Sequence, residues 1–147
     1  MAITPKFTRE DVKRYLHSYV ERLTFAVVES LKKVGEDFIA DARLSGSYTD
    51  QTGNLRSSIG YLIVINGMVI HSNFSGGQSE GAATGESYAR KIAAGFKGKR
   101  VVFIGVAGME YAVFVESTGK EVISSSSSRA ISNLTARLDY IKNQIAV

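Results

Sequence analysis

Ile59-Gly60-Tyr61-Leu62-Ile63-Val64-Ile65-Asn66-Gly67-Met68-Val69-Ile70-His71 carries the strongest local instruction in the chain. Ile59, Tyr61, Ile63 and Ile65 alternate to one side, and Leu62 and Val64 to the other, which is the period of two of a strand. Asn66-Gly67 interrupts two apolar runs. Both residues of a tight two-residue turn need positive φ, so Asn-Gly at this point specifies an antiparallel hairpin. Because both faces of the first strand are apolar, one is expected to pack on a helix. The other faces a subunit or a further layer.

Upstream, Thr8 is placed to cap a helix whose first turn carries Glu10 and Asp11, acids suited to the positive end of the helix dipole. Val12, Tyr15, Leu16, Tyr19, Val20, Leu23, Val27, Leu31, Val34, Phe38 and Ala42 then recur at helical spacing. The stripe persists for more than thirty residues. It reads either as one long helix or as two broken near Gly35. Phe25 to Val28 is apolar on several faces, which suggests contact with a second partner. The turn-forming stretch from Leu44 to Gly53 ends the helical region.

Downstream, 72–98 holds Gly76, Gly77, Gly81, Gly85, Gly95 and Gly98 and reads as a long Gly-rich loop insertion with one helical turn. A third strand is expected over Arg100 to Val106. Glu110 to Glu116 suits either a strand, through Tyr111, Val113 and Val115, or a short helix that Gly119 terminates. Ser124 to Ser128 reads as a loop and cap before a final helix starting near Arg129, with Ile131, Leu134, Leu138, Ile141 and Ile145 on one face. No internal repeat or domain boundary is visible. The fold class expected is α+β: long N-terminal and C-terminal helices packed on a small, mostly antiparallel sheet, as one domain over 1–147.

A chain of 147 residues removes roughly 70% of its unfolded surface from water on folding and needs no staple. It has no cysteine, which excludes disulfides, zinc–thiolate sites and a cysteine nucleophile, and suits a reducing cytoplasm. The opening residues lack the apolar core of a cleaved leader, and no apolar run approaches the ~18 residues of a membrane span. Net charge is +4 with a sequence pI near 9.4. That balance suits phosphate attraction, but the cations are mostly interspersed with acids. Lys97, Lys99 and Arg100 form the densest basic stretch. A nucleic-acid-binding module is therefore the alternative reading.

The demands of catalysis are mostly unmet. His17 and His71 have no ligand-like neighbours in sequence. There is no GxSxG elbow. A phosphate loop fails because Gly98-Lys99 is followed by arginine and Ala93 stands where its first glycine would be. No catalytic, cofactor-binding or metal-ligating set is expected, and the chain is not expected to be an enzyme.

Two segments are more specific. In Thr52-Gly53-Asn54-Leu55-Arg56-Ser57-Ser58-Ile59, Thr52 caps a turn, Gly53 relieves strain, Leu55 enters the core and Ile59 begins the strand. Arg56 offers five donors, suited to a carboxylate or to carbonyl oxygens. In Tyr111-Ala112-Val113-Phe114-Val115-Glu116-Ser117-Thr118-Gly119, an aromatic and a small residue precede an apolar pair, an acid and a terminating glycine.

In this order after an amphipathic helix, the two segments resemble a family of minor tail proteins of long-tailed bacteriophages, described as tail components or as neck and tail-completion proteins. Its members show TGxLRxSI, a hairpin, YAxxVExG and a C-terminal helix. Thr52, Gly53, Leu55, Arg56, Ser58 and Ile59 meet the first motif. Tyr111, Ala112, Val115, Glu116 and, one position late, Gly119 meet the second. The likeness spans roughly 25–146. Where many relatives carry a proline before the first motif, this chain has Tyr48-Thr49-Asp50.

The resemblance implies a structural virion protein of a tailed phage or prophage, made in the host bacterial cytoplasm. It would act in tail completion or head–tail joining, with no cofactor and no membrane. Its partners would be copies of itself, in a ring, and neighbouring neck or tail-tube proteins. A ring needs one patch to meet a different patch on the next copy. Arg56 and Glu116 are expected to pair, within a subunit or across such a ring.

Overall fold

The computed structural model describes residues 2–98 and 101–145. Eight elements follow in order: α1 (Arg9–Ser45), α2 (Asn54–Ser57), β1 (Ile59–Ile65), β2 (Met68–Asn73), α3 (Ser79–Ala93), β3 (Val101–Ala107), α4 (Ala112–Ser117) and α5 (Ser124–Ile145). The protein is α+β. The sheet is antiparallel in the order β2-β1-β3. Asn66 and Gly67 lie between the paired Ile65 and Met68, at φ 54° and 78°. No described helix is long and apolar enough to cross a membrane.

α1 is a single helix of 37 residues. Thr8 and Asp11 close a capping box, the Thr8 hydroxyl accepting from Asp11 N–H and the Asp11 carboxylate accepting from Thr8 N–H. Gly35 does not break it. A Cβ at Gly35 would sit 2.4 Å from the Tyr61 ring, so the glycine allows the helix to lie close on β1. Leu31, Val34, Phe38, Ile39 and Ala42 pack there against Ile59, Tyr61 and Ile63. α5 runs beside α1 on the same side of the sheet, with Ala130 and Leu134 joining this core.

The second face of β1 is covered by a helix the sequence reading missed. The segment 72–98, expected to be a glycine-rich loop, contains the 15-residue helix α3. Gly81, Gly85, Ala89 and Ala93 recur every four residues and line its buried side, a spacing that Gly77 begins just before the helix. A Cβ at Gly81 would lie 2.3 Å from the Asn54 carbonyl oxygen, and one at Gly85 2.3 Å from that of Ser58. Glycine lowers helix propensity by about 1 kcal/mol per residue, yet here it lets two backbones meet. Ala89 and Ala93 then reach Leu62, Val64, Ile104 and Val106, giving a helix–sheet–helix sandwich.

The start of α5 differs from expectation, and the choice left open over residues 110–116 falls to the helix. β3 is described from Val101, since Lys99 and Arg100 lie outside the described residues. Residues 112–117 form a helix, which ends at Gly119 with φ 82°. The serine run belongs to α5, which starts at Ser124, five residues before the expected Arg129. Ser126 is 1% exposed and meets Ser45 Oγ at 3.5 Å. The serines are small enough for α1 and α5 to approach there. Of the apolar stretch 25–28, Phe25 is exposed while Ala26, Val27 and Val28 are half-buried.

Candidate assembly site

The first motif is a corner between α1 and β1. Thr52 Oγ1 accepts from Asn54 N–H at 3.3 Å, and Gly53 takes φ 75° to start α2. Asp50 Oδ2 accepts from Arg56 N–H at 2.8 Å. Leu55 is 1% exposed and packs with Tyr48, Ala112 and Val122, while Ile59 enters the main core. The second motif meets the first in that small cluster. Ala112 is buried and Val115 half-buried against it, whereas Tyr111 lies exposed just before α4.

Arg43, which no motif marked, holds the corner to α1. Its Nε donates to the Arg56 carbonyl at 3.1 Å, and Nη2 to that of Ile59 at 3.1 Å. Nη1 donates to Ser75 and Gly76 at 2.9 and 3.2 Å. Burial pulls the Arg43 pKa below its usual value, but the carbonyls satisfy the cation. The only signal in sequence was one arginine near the end of an apolar stripe.

The expected pairing of Arg56 with Glu116 does not occur within the chain. Glu116 Oε1 accepts from Ile123 N–H at 2.8 Å and from Ser124 N–H and Oγ at 3.0 Å, which caps α5. Partial burial works to raise its pKa, and these hydrogen bonds outweigh it, holding the carboxyl below its usual range. Glu121 caps the next position, accepting from Ser125 N–H at 2.6 Å. Glu116 is thus committed to a helix N-terminus.

Arg56 has no carboxylate partner among the described residues. Its guanidinium lies 5.2 Å from the centre of the Tyr48 ring, and Nη2 reaches the Gly46 carbonyl at 3.4 Å. Nε and the Tyr48 hydroxyl are buried without hydrogen-bond partners. Burial pushes the Tyr48 pKa up, against the pull of the Arg56 cation. A half-buried cation without a counter-ion has lost hydration with little compensation, which favours an incoming carboxylate.

Exposed apolar side chains are spread over the surface, with Met68, Ile70, Phe96 and Val101 around β2 and β3, and two further groups bear on assembly. α4 presents Val113 and Phe114, 78% and 69% exposed. α1 has no buried residue before Leu31, so it overhangs the sheet by roughly 30 Å. The C-terminal half of α5 accompanies it. Tyr15, Tyr19, Leu23 and Ala26 of α1 and Tyr140, Ile141 and Ile145 of α5 line a groove of about 520 Å³ between them. Leu16, Val20 and Leu138 are exposed on the same overhang.

A separate polar cluster joins α1 to the sheet. The Tyr61 hydroxyl donates to Glu36 Oε1 at 2.8 Å and lies 3.2 Å from His71 Nε2, while Asn73 Nδ2 donates to the same Glu36 oxygen at 2.7 Å. The Tyr61 ring is fully buried beneath α1, which gives the cluster a structural role. Among the described residues no three His, Asp or Glu side chains gather as a metal site requires. No family model matches the chain, and no curated protein or solved structure matches it either.

Proposed function

We propose that the chain is a structural subunit of a tailed bacteriophage or prophage particle, acting by assembly in tail completion or head–tail joining, and is not an enzyme. One observation carries this reading: apolar side chains that a lone subunit would bury stand exposed in several places, among them the α1–α5 overhang and the α4 face. Exposed apolar patches of this kind mark interaction surfaces. These two surfaces differ in shape and residue type, as contacts between successive copies in a ring require. The tail-protein resemblance adds to this, because residues of both its motifs build the corner that presents α4 and Arg56.

Nucleic-acid binding has weaker support. Lys13, Arg14, Lys32, Lys33 and Arg90 are tied to acids one helical turn away, and such pairs neutralise the field a phosphate backbone would meet. Native mass spectrometry and negative-stain imaging of the purified protein test the proposal, alone and with the tail-tube protein from the same genome. Rings, or complexes with tube ends, are expected. A species that stays monomeric and never joins a tube would refute it.

A further inference from the structure

The two edges of the sheet are unequal. β2 carries His71, Ser72 and Asn73, and its register shifts opposite Ile63 and Val64, so that edge is bulged and polar. β3 pairs with β1 without a shift and is uncharged from Val101 to Ala107. Gly108 N–H donates to the Ser58 carbonyl opposite it at 3.2 Å, which sets the alternation of the ladder. Val102, Ile104 and Val106 therefore bond to β1, and the N–H and C=O groups of Phe103, Gly105 and Ala107 point outward. No described strand lies on that side to meet them.

A pocket flanks this edge on each face, and Gly105 lines both. On the α1–α5 side a space of about 210 Å³ is walled by Phe38, Phe103, Ala130, Ile131 and Leu134. On the α3–α4 side a space of about 240 Å³ is walled by Ile92, Val106, Val113 and Glu116. With α5 and α4 standing to either side, two copies cannot bring their β3 edges together, but one extended chain fits between. A glycine inside a strand suits the close approach of another backbone.

The chain holds such a segment. Residues 2–7 precede α1 without regular structure, and Ile3 and Phe7 are 96% and 64% exposed. They cannot fold back onto their own β3. Val34, which lines the α1–α5 pocket, stands about 39 Å along α1 from Thr8. The chain from Ile3 to Thr8 spans at most about 18 Å.

Resting on the assembly reading above, we propose that residues 2–7 of one copy add to the β3 edge of the next copy as a fourth, parallel strand. Pro5 has no N–H and turns away from β3, which leaves Thr4 and Lys6 to bond the outward groups of Phe103, Gly105 and Ala107. In a parallel ladder Thr4 and Lys6 lie opposite Ile104 and Val106 and share their α3 side. Lys6, which has no ion pair among the described residues, then faces Glu116. The Glu116 bonds that cap α5 all use Oε1, so Oε2 is open to that cation. Ile3 turns into the apolar α1–α5 pocket. An antiparallel strand would instead set Lys6 against those apolar walls. One patch meets a different patch, so the contact passes from copy to copy.

Sedimentation velocity and amide hydrogen exchange on the full-length protein, over a concentration series, test the contact. Wild type is expected to self-associate, and the amides of Phe103, Gly105 and Ala107 to exchange more slowly as it does. Those of Val102, Ile104 and Val106, already bonded to β1, should be slow throughout. Ile3→Asp lies in the irregular segment and leaves the fold intact. It should weaken association roughly 10–100-fold, the loss of one buried aliphatic side chain. The chain has no cysteine. Ile3→Cys chains should therefore form a disulfide with Ile131→Cys chains on mixing, and none with Val113→Cys chains.

Association that Ile3→Asp leaves unchanged, unaltered exchange at the three outward amides, or a cross-link to residue 113 in place of 131 would overturn the contact. So would a wild type that is monomeric alone. If that monomer still joins tail tubes, the strand exchange fails while the assembly reading stands.

Discussion

Glu116 caps the helix that begins at Ser124: its Oε1 accepts both the backbone N–H and the hydroxyl of that serine at 3.0 Å. The contact links the second motif to α5 and explains why Glu116 does not reach Arg56. Replacing the carboxylate should therefore weaken α5 without freeing a partner for Arg56. Glu116→Ala is expected to cost about 1–2 kcal/mol in urea unfolding, the range of an N-cap loss. Glu116→Gln, which keeps one acceptor, should cost less. Because the folded pKa is depressed, the contribution is whole above the ordinary value of 4.5 and is lost as pH falls through the folded value. The Ala variant and wild type should accordingly converge in stability in acid.

Gly85 has no room to grow. Its Cβ would lie 2.3 Å from the Ser58 carbonyl oxygen, and the facing Gly108 would put its own Cβ 2.4 Å from Gly85 Cα. Gly85→Ala, which raises helix propensity, should nevertheless destabilise the protein by roughly 1–3 kcal/mol through overpacking. Gly95→Ala is the milder comparison, since its Cβ would lie 3.3 Å from the Ile92 carbonyl oxygen, a tight contact but not an overlap. Thermal unfolding followed by circular dichroism separates the two.

The Tyr61 hydroxyl should make the fold sensitive to base. Burial, then the hydrogen bond to Glu36, raises its pKa above the ordinary 10.0. A raised pKa contributes stability that is whole below pH 10 and disappears as pH rises through the folded value. Tyr61→Phe should lose about 1 kcal/mol at neutral pH with the hydrogen bond. Its stability should then fall less steeply than that of wild type above pH 10, as measured by urea midpoints.

Arg43 cannot be exchanged for lysine. Four carbonyl oxygens from residues 56, 59, 75 and 76 surround a planar fork that an ammonium cannot reproduce. Arg43→Lys is expected to cost roughly 2–3 kcal/mol. It should also speed hydrogen exchange of the α2 amides before those of β1.

The elements whose side chains obey one periodicity were legible in sequence. The α1 stripe matches burial from Leu31 onward while its first half stands exposed, and β1 is apolar on both faces because α1 and α3 sandwich it. α3 was not legible. Its glycines depress local helix propensity, and they are tolerated only because the backbones at Asn54 and Ser58 come within reach, a tertiary fact with no local trace. The fourfold spacing from Gly77 to Ala93 was the available signal. The start of α5 was misjudged for a related reason: serines favour caps and turns, but two distant carboxylates, Glu116 and Glu121, stabilise their amides in a helix.

The candidate site divides the same way. Leu55, Ile59 and Ala112 are core residues whose apolar character announces burial. Sequence showed that Arg56 and Glu116 needed partners but not which ones, since the nearest acid in space depends on how two loops and a helix end converge. Arg43 carried no sequence mark because its acceptors are backbone carbonyls, which every residue has.

Quantitative mass spectrometry of tailed particles, purified by density gradient from cells carrying the genome that encodes this chain, tests assembly into a virion most directly. The account predicts the chain in the banded particles, in fixed proportion to the other tail proteins. Its absence from intact particles, while it is abundant in the same lysate, would contradict the account.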